Sequence, residues 1–93
     1  MDQRLIPGMS YVKSSKYRYS IVLLLYGNIL TPAEIQQKLN IRLNHVSLHL
    51  KELRDMNIVV CLNEDAKKGR LYELSDLGNE LYNYINKPTI GNE

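Results

Sequence analysis

Two groups of residues have types and spacings that can act on a polyanion. Lys67, Lys68 and Arg70 gather around Gly69, and cations so close together can displace counterions from phosphates. Asn44, His45, Ser47, Leu48 and Lys51 lie across a helical repeat from the apolar Val46, Leu50 and Leu53, which follow i, i+4, i+7 spacing. Short polar side chains on such a face can hydrogen-bond base edges or phosphates and allow a close approach. The plainer readings are a solvated helix face and an ordinary charged hairpin tip, whose field Glu64 and Asp65 partly offset. His45 and His49 are four apart, a spacing that can hold a metal. No third ligand stands out, so neither a metal site nor a cofactor is expected. Cys61, alone in an apolar run, reads as a small core residue rather than a redox sensor. No nucleophile stands with a plausible base and there is no Gly-rich phosphate loop, so the chain is not expected to be an enzyme.

Both groups need elements to position them, and the stretch from Thr31 to Met56 reads as two helices joined by a tight turn. Thr31 can cap the first, with Pro32 at the first helical position and Glu34 at capping-box spacing. Asn40 ends it, because Asn tolerates the left-handed conformation. The longer helix begins after Ile41-Arg42, with Asn57 just beyond its end. Ile58 to Leu62 is rich in β-branched residues, and Arg70 to Leu74 alternates. Together they form a β-hairpin whose loop carries the basic cluster. Ser14 or Ser15 caps an earlier helix running to about Tyr26, ended by Gly27-Asn28, with Ile29-Leu30 as a short extended link. Ser75 caps a last helix that presents Leu77, Leu81, Tyr84 and Ile85 on one side and is stopped by Lys87-Pro88.

The Pro7-Gly8 pair marks a turn or break in residues 1–12. Their apolar content favours an arm packed on this subunit or a partner over a frayed end. Tyr17, Tyr26 and Tyr72 fall in core-like patterns, whereas Tyr82 and Tyr84 suit a dimer seam. The expected domains are therefore an arm at 1–12, one folded domain at 13–87 and a disordered tail at 88–93.

A chain of 93 residues makes one domain with a thin core, which a second copy would help to cover. Hydrophobic content of 44% and charged content of 24% are those of a soluble globular protein. No apolar run approaches a membrane span, and no signal peptide is apparent, so the cytoplasm is the expected compartment. A net charge of +2 does not by itself argue for nucleic acid. The distribution says more: Arg4, Lys13, Lys16 and Arg18 face only Asp2 in the first twenty residues.

At Thr31-Pro32-Ala33-Glu34-Ile35, Ile41 to Leu53, Asn57-Ile58-Val59 and Lys67 to Gly78, the chain resembles the winged helix-turn-helix transcriptional regulators. It is most similar to the small ArsR/MarR-like regulators of archaea and bacteria. The family pattern is roughly V-S-x-H-L-x-x-L, then R-x-Y-x-L-[ST]-x-x-G, and the match covers residues 14–86. The resemblance implies a mainly α fold with a small β-hairpin (α+β) and a homodimer on double-stranded DNA. The third helix, about residues 43–56, would enter the major groove. The hairpin wing, about 63–70, would lie on the backbone or minor groove.

The residues this assigns to DNA are Lys16, Arg42, Asn44, His45, Ser47, Leu48, Lys51, Lys67, Lys68 and Arg70. Leu48 stands where Arg is frequent and could meet a thymine methyl instead of guanine. Arg42 stands where a Ser or Thr cap is usual, and Asn40 and Asn57 where Gly is common. The dimer interface would use Leu5, Ile6, Met9, Leu77, Leu81, Tyr84 and Ile85. The alternative is a winged-helix protein–protein interaction module in a larger assembly, because the fold serves both roles.

Overall fold

A computed structural model of the protein describes residues 5–86. The expectations for the arm before Leu5, the Leu5 side chain, the Lys87-Pro88 stop and the tail at 88–93 lie outside the described residues or side chains. The elements are α1 (Leu5–Lys13), α2 (Lys16–Leu25), α3 (Pro32–Leu39), α4 (Leu43–Asp55), β1 (Val59–Cys61), β2 (Tyr72–Leu74) and α5 (Asp76–Ile85). None of these helices is long and apolar enough to cross a membrane.

Local chemistry sets most element ends. Ser15 Oγ accepts the Arg18 N–H at the start of α2. At α3 the full capping box forms: Thr31 Oγ1 accepts the Glu34 N–H, and Glu34 Oε1 accepts the Thr31 N–H at 2.9 Å. That backbone N–H and the Thr31 hydroxyl, both donating, hold the Glu34 carboxyl below its usual pKa. Asn40 closes α3 in the left-handed conformation (φ 54°), and Asn57 takes φ 61° just beyond α4. At α4 the N-cap is Arg42, which makes no side-chain capping bond.

β1 and β2 pair antiparallel, with Val59 opposite Leu74, Val60 opposite Glu73 and Cys61 opposite Tyr72. Leu30 bridges the other edge through two backbone bonds with Tyr72, at 3.0 and 2.9 Å. The core draws on every helix and the hairpin. It includes Val12, Ile21, Val22, Leu25, Leu30, Ile35, Val46, Leu50, Leu53, Ile58, Val59, Tyr72, Leu74 and Leu81.

Three expectations need correction. Pro7-Gly8 does not break the chain, because both lie within α1. Pro7 falls in the first turn, where an N–H has no helical partner to lose. Gly8 is buried, and a Cβ there would stand 3.0 Å from Leu81 Cδ1, so α1 lies close against α5. Leu81 is accordingly fully buried in the subunit's own core and is not free to face a second chain. Tyr17 and Tyr26 are partly exposed rather than core. Tyr26 stacks on Tyr82 with ring centroids 3.7 Å apart, which joins the end of α2 to α5 and occupies a ring expected at a seam.

Gly78 has a role that its place in a motif did not reveal. It is buried in α5, and a Cβ there would come within 2.2 Å of the Ile58 carbonyl oxygen. Ser75 binds the same corner: its N–H donates to Ile58 O at 2.9 Å, and its hydroxyl accepts the Gly78 N–H at 3.0 Å. The helix is thereby seated against the root of the hairpin.

Candidate nucleic-acid interface

Helix α4 is held from beneath by Val46, Leu50 and Leu53, each at most 1% exposed. Its opposite side follows from the 3.6-residue period. Asn44, Ser47, Leu48 and Lys51 are exposed there, and His45 is half-buried. Beside it, a concavity between the α3 start, α4 and the hairpin loop is lined by Ser47, Lys51, Arg54, Lys67, Lys68, Gly69 and Arg70, among others. The helix face and the basic loop, separated by a score of residues in sequence, thus border one surface.

The hairpin loop is built from polar bonds. The Asn63 amide oxygen accepts the Leu71 N–H at 2.7 Å, and its nitrogen donates to Gly69 O at 3.2 Å. Arg70 donates from Nε to Ala66 O (2.8 Å) and from Nη2 to Glu64 O (3.0 Å). Its guanidinium therefore shapes the tip, with two donors already committed, whereas Lys67 and Lys68 are exposed. Arg54 on α4 pairs with Glu64 at 2.5 Å and ties the loop to the helix. Lys51 pairs with Asp55 on the same helix, both well exposed and readily screened.

A second set of contacts fixes the other edge of α4. The Tyr17 ring lies 6.0 Å from His45 and 5.6 Å from His49, centroid to centroid. His49 Nδ1 stands 2.7 Å from Glu52 Oε1, and Arg18 Nη1 reaches the same oxygen at 3.4 Å. The His49 hydrogen bond first, then the charges of His49 and Arg18, hold the Glu52 carboxyl below its usual pKa. Arg18 also donates to Tyr11 O (2.9 Å) and Ser14 Oγ (2.9 Å), with its guanidinium carbon 3.9 Å over the Tyr11 ring. One cation thus connects α1, α2 and α4.

The remaining expected residues fall outside the concavity. Arg42 is exposed at the α4 cap, beside Gln36, Gln37, Asn40 and Ile41 in a shallow polar depression. Lys16 is exposed at the start of α2, next in sequence to Tyr17. Asn44 and Leu48 stand on the crest of α4 rather than in the hollow. Cys61 is half-buried, its Sγ 3.6 Å from the Asn63 amide oxygen.

Sequence reasoning missed Arg54, Leu43 and the Arg18–Glu52 pair as parts of this surface. The His49–Glu52 contact was legible as an i, i+3 neighbour. Arg18 and Glu52 are 34 residues apart, and no local spacing announces them.

No family model and no curated protein matches the sequence. Nine solved chains match, among them HlyU from Vibrio cholerae N16961, at 20% identity and a TM-score of 0.68 over 92% of this chain and 98% of that one. The likeness is one of fold: among the described residues, five helices and an antiparallel hairpin in this order make a winged helix-turn-helix.

Proposed function

We propose that the protein is a sequence-specific regulator of transcription that binds double-stranded DNA in the cytoplasm as a homodimer. One observation carries this reading. Ser47 and Lys51 of α4 share a concavity with Lys67 and Lys68 of the hairpin, and Asn44 and Leu48 crown the helix beside it. A helix presented next to a cationic loop matches a groove and its flanking phosphates. In this reading α4 enters the major groove. Asn44, His45, Ser47 and Leu48 face base edges, while Lys16, Arg42, Lys51, Lys67 and Lys68 meet phosphates. Arg70 serves the interface by shaping the loop.

The dimer uses the α1–α5 side. Ile6 is 50% exposed and Tyr84 36%, and Met9, Leu77 and Ile85 are half-covered beside the core. Leu81 supports this side from within rather than joining the interface. Two copies would set their α4 helices about one helical turn of duplex apart, on a pseudo-palindromic site.

Binding to duplex measured across a salt series tests the reading. Affinity is expected to fall steeply as salt rises. Replacing both Lys67 and Lys68 by Ala should flatten the log–log slope by about 2, roughly one per phosphate contact. Binding that is absent at low salt, or indifferent to salt, refutes it. A double variant that keeps full DNA affinity yet loses a protein partner points to the interaction-module alternative. Ile6→Asp with Tyr84→Asp should sediment as a monomer that binds DNA weakly.

A further inference from the structure

The crest of α4 combines exposed apolar and amide groups, with the cations of the helix along its border. Leu48 is 51% exposed and Leu43 45%, whereas Leu50 and Leu53 of the same helix are buried. A single exposed leucine is ordinary. Leu48, however, projects from the middle of the face assigned above to the duplex, one turn beyond exposed Asn44 and beside exposed Ser47 and Lys51. Leucine has no hydrogen-bonding group. Over a G·C pair it would cover the guanine acceptors and the cytosine amine and return no bond to them, which is unfavourable. The apolar group that B-DNA displays in its major groove is the thymine C5 methyl.

Asn44 carries a donor and an acceptor on one amide, the pattern that complements adenine N7 and N6. It lies on the same face at i−4 from Leu48. The basic groups on the helix border this crest rather than occupy it. Arg42 is at the cap, Lys51 is paired with Asp55, and Arg54 is paired with Glu64.

We infer that the crest of α4 reads A·T pairs, with Leu48 against a thymine methyl and Asn44 on an adenine edge, so that each half-site carries A·T at this step. The inference rests on the duplex-binding reading above and adds which bases the helix selects.

The test starts from duplexes selected out of a random-sequence library by the full chain. The bases at the centre of each half-site are read, and each thymine there is then replaced in turn by uracil, which removes only the methyl. A·T is expected at the step, and one uracil should weaken the wild type about fourfold. The same replacement should leave Leu48→Ala nearly unaffected. Leu48→Arg should shift selection at that step towards G·C. Because Leu48 is exposed, both variants should keep the wild-type circular dichroism and melting curve. Selected sites with G·C at the step, or tight binding that ignores every uracil, overturn this inference and leave the interface reading standing. A folded protein that selects no duplex overturns both.

Discussion

Helix α4 and the hairpin loop border the same concavity, but burial holds the helix and hydrogen bonds hold the loop. Beneath α4, Val46, Leu50 and Leu53 are packed out of water. At the loop, Asn63 and Arg70 gather the carbonyls of Glu64, Ala66 and Gly69, and an ion pair between half-buried Arg54 and exposed Glu64 fastens it to the helix. Apolar burial is not screened by added salt, whereas an ion pair with one partner in solvent is screened in part. The helix is therefore the fixed half of the surface and the loop the adjustable half. Under the function proposed above, the helix would be a rigid reader and the loop a tip that follows the backbone.

The strongest way to break this contrast is at its apolar side. Leu50→Ala should cost about 2–5 kcal/mol of global stability in denaturant unfolding, because it leaves a cavity under α4. A loss below about 1 kcal/mol would mean that the helix is not anchored there. Next comes the root of the hairpin. Gly78→Ala forces a methyl towards the Ile58 carbonyl and should destabilise by about 1–3 kcal/mol, read from the melting temperature.

A smaller and local effect is expected from Arg70→Ala. Amide exchange should accelerate over residues 63–71 by about tenfold, equivalent to about 1.4 kcal/mol, while α4 amides keep their protection. Equal acceleration in both would erase the proposed difference. The smallest effect concerns acid. The Glu52 carboxyl is held down in the folded state by His49 and Arg18. Its contribution is therefore present above the unfolded value near about 4.3 and is lost as pH falls through the folded value. Glu52→Gln should lose less stability than the wild type on acidification from about pH 5 to pH 3 in a pH series of melts. Parallel curves would show that the pair does not steady this edge of α4.

Much of the fold was legible because its signals are local. The Thr31–Glu34 capping box, the left-handed Asn40 and Asn57, the Ser75 cap and the Val46–Leu50–Leu53 stripe each span a few residues. A hydrogen bond or helix face within one or two turns depends on little else. The regular strands are shorter than the alternation suggests, but the antiparallel bonds continue beyond them, from the Leu62 N–H to Leu71 O at 2.8 Å and from the Ser75 N–H to Ile58 O at 2.9 Å. The exposed face of α4 and the basic loop are legible for the same reason, whereas the concavity they share is not.

Where helices start and stop, and which side chains share the outer face of α4 or the hairpin loop, could thus be read from the chain alone, because caps and periodicity act between near neighbours. Folding alone settled that α1 lies on Leu81, that Arg70 braces the loop with its guanidinium, and that Arg18 of α2 reaches Glu52 of α4. Each of those outcomes depends on a partner far along the chain, and burial or a committed donor exists only after folding has brought that partner into place.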